Sequence, residues 1–171
     1  MKYLDLPDLV KVVAERASSF LAEEVGIEVS GVEYHLKDVQ KLDLGYLTSL
    51  MSVEGKMKLY LALSFDQPLI EQAFAAYTAD LDIAADERDR YIEETAADMV
   101  NIIVGNATTF FSAPDRTAVS LSPPIIITEG KSIFRYKDAR FFSATLHTTY
   151  GCLYVLCIGP KDLFDERLNY L

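Results

Sequence analysis

The feature of this sequence that most limits its possible folds is a strict alternation of apolar and polar residues just before Asp66. Within residues 56–65, every second side chain is large and apolar: Met57, Leu59, Leu61, Leu63 and Phe65. A period of two is typical of a β-strand with one face against a core. Residues 46–53 are the other arm of a predicted hairpin that turns at Glu54 and Gly55.

The same order of elements occurs twice along the chain, with low sequence identity between the two copies. The predicted elements are a helix at 8–24, a half-buried strand at 32–36, the hairpin at 46–65 and a helix at 66–77, then a helix at 87–111, a buried strand at 124–128, a hairpin at 141–158 that turns at Tyr150-Gly151, and a short final helix. Asp66, Asp86 and Asp162 are the predicted N-caps. The order predicts an α+β fold of two layers, in which two pseudo-symmetric halves share a largely antiparallel sheet covered by helices. We expect one domain over residues 1–171.

Composition excludes several classes of partner. The net charge is −10, which disfavours nucleic acid and anionic membrane surfaces. No segment approaches the about 20 apolar residues of a membrane helix, and the first residues lack the pattern of an export signal. Cys152 and Cys157 are five residues apart in a predicted strand, so they lie on opposite faces and do not pair. We therefore expect a cytoplasmic protein.

The usual catalytic and metal-binding patterns are missing from the sequence. His35 and His147 are far apart, on the polar faces of predicted strands, and no Cys/His cluster has the spacing of metal ligands. There is no glycine-rich phosphate loop and no G-x-S-x-G turn. We expect neither a bound metal nor a cofactor belonging to this chain.

The long helix carries the best candidate site. At 100° per residue, Glu94, Asp98, Asn101 and Gly105 fall within roughly 60° of one another. The opposite side is apolar: Ile92, Ala96, Met99, Ile103, Ala107 and Phe110. Asn and Gly are both unfavourable inside a helix, so this polar stripe indicates a function. Two other interpretations stay open, an ordinary solvated face and a helix end or kink at Gly105-Asn106.

The segment from Asp98 to Ala107 resembles the signature of the CheC/CheX chemotaxis phosphatases. That signature has an acidic residue, usually Glu, then Asn three positions later, then Gly four positions later, often followed by Asn. Asp98, Asn101, Gly105 and Asn106 match it in order. The chain has one copy, as in CheX, whereas typical CheC proteins have two. The two hairpins fit a CheC-like fold.

The resemblance implies an activity. CheX-type proteins hydrolyse the aspartyl phosphate of the response regulator CheY and so end its signal. By this resemblance, Asn101 positions the attacking water, Asp98 makes an ionic contact with a lysine of the regulator, and Glu94, Gly105 and Asn106 dock the partner. The Mg²⁺ ion and the phosphoaspartate belong to the partner, a phosphorylated CheY-type regulator. The resemblance also implies a homodimer.

One position departs from the family pattern. Asp98 stands where Glu is usual, and its side chain is shorter by about 1.5 Å. A misplacement of about 1 Å can cost about 100-fold in rate. The partner lysine can compensate because it is long and flexible, or Glu94 can supply the contact instead. A non-catalytic domain that binds a response regulator is the alternative function, and a small-molecule site between helices and sheet is a weaker one.

Overall fold

The computed structural model describes residues 6–54, 58–112 and 120–159. Within them lie three α-helices and nine strands. In chain order these are α1 Leu6–Glu24, β1 Gly31–His35, β2 Lys41–Asp43, β3 Leu47–Glu54, β4 Leu59–Phe65, α2 Gln67–Tyr77, α3 Arg88–Ser112, β5 Ser120–Leu121, β6 Ile125–Ile127, β7 Ser132–Phe134, β8 Arg140–Thr148 and β9 Gly151–Gly159. The predicted final helix and its cap, Asp162, lie outside the described residues. No helix in the described ranges is long and apolar enough to cross a membrane.

Seven of the described strands form one antiparallel sheet. Its order is β1-β8-β9-β4-β3, and β5 and β6 both pair with β3. The order is symmetric about the β9–β4 pair, with a hairpin and then short strands on each side. The second sheet contains β2 and β7, one strand from each half. The predicted α+β fold with two pseudo-symmetric halves is confirmed.

The helices cover one face of the large sheet, and the small sheet covers part of the other. Alternate residues of β4 and β9, among them Leu61 and Val155, join the core beneath the helices. Their neighbours Ala62 and Leu156 belong to a second core that includes Leu42 of the small sheet. The central strand β4 is therefore buried on both faces, whereas the alternation predicted only one.

The two strands that were predicted outside the hairpins, β1 and β6, are more exposed than predicted. Every residue of β1 is exposed, including Val32 and Tyr34, because β1 is an edge strand and α1 packs over its neighbour β8. The half-buried strand predicted at 32–36 is therefore wrong about burial. Ile125 of β6 is 55% exposed, so the buried strand predicted at 124–128 is also wrong there. Both strands lie at the margins of the sheet.

The predicted helix caps are also corrected. Asp66 precedes α2, but its side chain makes no capping hydrogen bond. Its Oδ2 instead accepts a hydrogen bond of 2.8 Å from the backbone N–H of Cys152, and its own N–H donates to the carbonyl of Cys152 over 3.1 Å. Asp86 lies inside a short 3-10 turn, Ala85–Glu87, ahead of α3. Asp66 thus joins the start of α2 to the start of β9.

The second hairpin turns one residue earlier than predicted. Thr148 pairs with Gly151, which leaves Thr149 and Tyr150 as the two-residue turn. Gly151 has φ of +101°, and a Cβ built there would lie 2.9 Å from the side chain of Asp66. Glycine is required at this position for both reasons. The turn of the first hairpin includes residues outside the described ranges.

Candidate functional site

Helix α3 holds the candidate site because its apolar side is fixed against the rest of the molecule. Five of the six residues predicted to face inward are buried, namely Ile92, Ala96, Met99, Ile103 and Ala107. The side chain of the sixth, Phe110, lies outside the described set. The helix packs against α1, α2, β3 and β4. Packing against the core therefore determines which side of α3 faces solvent.

The four stripe residues lie on the outward side of α3. Glu94, Asp98 and Asn101 are exposed, and Gly105 is partly exposed. Asn106, the fifth candidate residue and one of the three assigned to docking, is also exposed. Helix α3 continues beyond Gly105 to Ser112, so the alternative of a helix end at this point is wrong. The helix spacing brings the stripe residues together on consecutive turns.

Gly105 leaves open space on the surface of α3. A Cβ atom built on it meets no other atom within 4 Å. The backbone carbonyl of Gly105 accepts a hydrogen bond of 2.9 Å from Thr108 Oγ1, and that of Asn106 accepts one of 2.7 Å from Thr109 Oγ1. No contact in the described part of the chain requires a glycine here, so its small size leaves room for a molecule that approaches from outside.

The two carboxylates of the stripe differ in their partners. Glu94 Oε1 lies 3.7 Å from Arg90 Nε, and Arg90 also lies 3.5 Å from Glu87. In the described part of the chain, neither Asp98 nor Asn101 makes a hydrogen bond or an ion pair through its side chain. Asp98 and Asn101 are therefore free to bind another molecule, whereas Glu94 is already paired.

Tyr77, at the end of α2, is a neighbour of the site that sequence reasoning missed. Its ring stacks on Phe20 of α1 with the centroids 6.3 Å apart. Burial raises the pKa of Tyr77, and the negative charges of Asp98 and Glu24 raise it further. Tyr77 is therefore near enough to Asp98 for the charge of that carboxylate to act on its hydroxyl group, and both α1 and α2 pack against α3. Helical periodicity marked Tyr77 only as an inward residue, because its position relative to Asp98 depends on how α2 packs against α3.

Ile102 is a second residue that the polar pattern did not include. It follows Asn101 directly and is 41% exposed, although it is large and apolar. A single exposed apolar side chain is ordinary on a protein surface, so Ile102 by itself does not indicate a partner.

The described structure has hollows where a helix meets the large sheet. One between α3 and β3, lined by Leu47 and Ile92 among others, measures about 220 Å³, and one between the start of α1 and β8, lined by Leu6 and Phe142 among others, measures about 560 Å³. Ligand pockets usually measure about 300–1,000 Å³. No group of three or more His, Cys, Asp or Glu side chains in the described ranges is arranged to hold a metal ion.

A family comparison decides the relationship of this chain. The family model described as chemotaxis phosphatase CheX matches residues 47–147, a range that includes all of α3. The chain belongs to the CheX family. The resemblance drawn from Asp98, Asn101 and Gly105 is thereby confirmed at the level of the family. No curated protein sequence matches the chain significantly.

Solved structures with the same fold include several CheX proteins. A chemotaxis protein CheX from Desulfovibrio desulfuricans has a TM-score of 0.74 and 16% identity, covering 88% of this chain and 97% of that one. CheX from Vibrio vulnificus has a TM-score of 0.71 and 12% identity, with coverages of 88% and 97%. CheX in a CheX-CheY-BeF3-Mg²⁺ complex from Borrelia burgdorferi has a TM-score of 0.63 and 17% identity, with coverages of 90% and 97%. At these identities the likeness establishes the CheC-like fold.

Proposed function

We propose that this CheX-family protein is a phosphatase that hydrolyses the aspartyl phosphate of a CheY-type response regulator. The observation that carries the proposal is the pair Asp98 and Asn101, exposed one turn apart on α3, whose side chains make no hydrogen bond or ion pair in the described structure. Membership of the CheX family supports it, as does the fold shared with a CheX that forms a complex with CheY. The setting is a chemotaxis or other two-component signal in the cytoplasm.

Asn101 is the catalytic residue in this proposal. Hydrolysis of an acyl phosphate needs a water molecule in line with phosphorus and stabilisation of the charge that develops. An amide donates and accepts hydrogen bonds, so Asn101 can hold the water without acting as a base. Mg²⁺, which the partner would hold, would supply charge neutralisation. No histidine or serine of this chain takes part.

Asp98 makes the ionic contact with the regulator in this proposal. A free carboxylate one turn before Asn101 can enter the same partner cleft, and a lysine of the regulator can reach it. Glu94 is the weaker candidate because Arg90 already lies 3.7 Å from its carboxylate. Gly105, Asn106 and Glu94 complete the docking surface, with Ile102 as its apolar member.

The direct test measures phosphate release from the phosphorylated regulator with and without this protein. Asn101→Ala should remove the acceleration, a loss of about 100-fold or more, because the water is no longer aligned. Gln67→Ala, which removes an exposed amide from α2, is the matched control and should keep the parent's rate. An Asn101→Ala variant that accelerates release as well as the parent would contradict the mechanism.

A non-catalytic docking domain is the second candidate function. The observation that favours it is Asp98 in place of the usual Glu, because a shorter side chain changes how α3 sits on the regulator. The two candidates separate in paired assays on the same samples. The phosphatase both binds the regulator and accelerates phosphate release, whereas a docking domain binds the regulator activated by BeF3 and leaves the release rate unchanged.

We also propose that the protein forms a homodimer, as the family resemblance implies. The outer edge of β1 pairs with no other strand of the described chain, and Val32 and Tyr34 are exposed on it. An exposed strand edge is a ready site for pairing with a second chain. Light scattering should give twice the 19.1 kDa of one chain, and Val32→Lys should shift the mass towards one chain. A parent that scatters as a single chain at micromolar concentration would refute the dimer.

A further inference from the structure

Three side chains that can transfer or hold a proton lie in a row on the sheet face away from α3. Cys152 of β9 pairs with His147 of β8, and its Sγ lies 3.4 Å from the Nδ1 of that histidine. On the other side of the ring, Nε2 lies 3.4 Å from Oε1 of Glu33 on β1. The row therefore runs thiol, imidazole, carboxylate across three adjacent strands.

One nitrogen of the imidazole lies against a carboxylate. The Nε2 atom of His147 is shielded from solvent and makes no hydrogen bond to the described residues, but Oε1 of Glu33 lies within ion-pair distance of it. A proton added at Nδ1 turns the ring into an imidazolium, and the Glu33 carboxylate then faces its positive charge. The row therefore places a base, Nδ1, within reach of the thiol, and a carboxylate next to the ring that would receive the proton.

The groups around Cys152 argue against a resting thiolate. Burial raises the pKa of the Cys152 thiol, as do the charges of Asp66 and Glu33, and a hydrogen bond with Tyr154 opposes them. Asp66 is close because it accepts the backbone N–H of Cys152. Any nucleophilic reactivity of Cys152 must therefore come from a base in contact with it, and His147 is that base.

We propose that Cys152 is a nucleophilic modification site for small electrophilic carbon compounds, with His147 as its base and Glu33 orienting the imidazole. With iodoacetamide as the probe, an S–C bond forms at Sγ, the C–I bond breaks, and iodide leaves with the electron pair. The thiol proton passes to Nδ1 of His147 and then to solvent. Neither an oxidant nor a metal is required.

Access and selectivity both favour Cys152. It is partly exposed, and the next residues on the same face, Thr145 and Tyr154, line an open groove of about 760 Å³. Cys157, on the opposite face of β9, is fully buried, and burial raises its pKa to about 12. The second thiol is therefore an internal reference for the reactivity of the first.

The test is the rate of carbamidomethylation of each cysteine, measured by mass spectrometry between pH 6 and 8.5. In the folded parent, Cys152 should react at least about 100-fold faster than Cys157. Its rate should rise by less than tenfold per pH unit, because His147 accepts the thiol proton and the reaction does not depend on a free thiolate. His147→Gln should lower the rate at pH 7 about tenfold and restore a rate that rises tenfold per pH unit, as for an unassisted thiol.

The control is His35→Gln, which removes the other histidine, an exposed residue of β1 that makes no contact with Cys152. It should leave the rate and its pH dependence unchanged. The pH profile of the parent requires no variant, so it tests the role of His147 as the base even where His147→Gln lowers stability. A parent whose rate rises tenfold per pH unit across the whole range, or a His147→Gln protein that reacts as fast as the parent, would overturn the proposal. Activity on the regulator does not enter the test.

Discussion

At the level of single residues, Gly105 is unfavourable for the helix but suits the binding of a partner. A glycine inside a helix costs about 1 kcal/mol relative to alanine. The open space around Gly105 means that this cost is not offset by any contact within the described structure. Close approach of a partner is the explanation that our proposed docking surface provides.

Gly105→Ala should therefore raise the free energy of unfolding by about 1 kcal/mol, because the added methyl meets no atom and the helix propensity improves. Gly105→Leu should also be at least as stable as the parent, yet bind the regulator at least about tenfold more weakly, since its side chain fills the space left for the partner. Urea unfolding and titration with the activated regulator measure the two effects. Unchanged affinity in Gly105→Leu would remove Gly105 from the docking surface.

The carboxylates of Asp98 and Glu94 should respond differently to neutralisation. Asp98→Asn should lower the rate of phosphate release about tenfold, equivalent to about 1.4 kcal/mol, because it removes the proposed ionic contact. Glu94→Gln should change the rate less than twofold, since Arg90 already pairs with that carboxylate. Asp98→Glu should equal or exceed the parent. The rate of phosphate release is measured for each variant at two salt concentrations. If Glu94→Gln slowed release more than Asp98→Asn, the ionic contact would belong to Glu94.

At the level of elements, the small sheet explains what strand periodicity could not foresee. The alternation before Asp66 predicted β4 and its inward face correctly. The second face is buried because β2 and β7, far apart in sequence, pair with each other and lie over it. A local pattern specifies which residues share a face, but only the tertiary fold decides whether that face is covered.

The one-residue difference between the predicted and observed turns of the second hairpin changes which residues lie opposite each other across β8 and β9. A turn at Tyr150-Gly151 places His147 opposite Tyr154, whereas the observed turn pairs it with Cys152. Both residues keep the face that the alternation gave them, but their neighbours change. The contact between Cys152 and His147 could therefore not be predicted from the sequence, although the sequence analysis considered both residues.

The passage from the small sheet into β3 depends on Gly45. A Cβ at this position would lie 2.7 Å from the backbone oxygen of Phe65, and the Gly45 N–H donates to Ser64 Oγ over 2.6 Å. Gly45→Ala should lower the free energy of unfolding by about 1–3 kcal/mol, because backbone must shift to admit the methyl. Gly31→Ala, where a Cβ meets no atom within 4 Å, is the matched control and should be near neutral. Equal stabilities in urea unfolding would show that β3 and β4 can move apart freely.

At the level of the whole molecule, the sequence predicted the placement of the candidate residues better than their surroundings. Helical spacing and the ten-residue motif placed Asp98, Asn101 and Gly105 on one exposed side of α3, where the structure has them. Tyr77 was missed because its proximity to Asp98 depends on how α1, α2 and α3 meet. A motif on one helix is local information, whereas the electrostatic surroundings of a site come from several elements.

Two acidic groups of the described chain, the buried Cys157 and the partly buried Tyr154, predict its response to alkaline pH. Burial raises the pKa of Cys157 from 9.0 to about 12, and that of Tyr154 from 10.0 to about 12 with help from the charges of Asp66 and Cys152. Both groups hold their protons more tightly when folded, so the unfolded chain binds fewer protons above pH 9. Their contribution to stability is complete below the unfolded pKa values and is lost as pH rises towards 12.

Stability should therefore fall between pH 9 and 12, and Cys157 alone should account for about 1.4 kcal/mol per pH unit in that interval. Urea unfolding at pH 8, 9.5 and 10.5 measures the slope. Cys157→Ala lowers stability at every pH because it leaves a cavity, but its slope should be shallower than the parent's, since the buried thiol is gone. Comparing the pH slopes of the two proteins separates the effect of Cys157 ionisation from the effect of lost packing. Parallel slopes in the two proteins would mean that Cys157 ionises as readily in the folded chain as in the unfolded one.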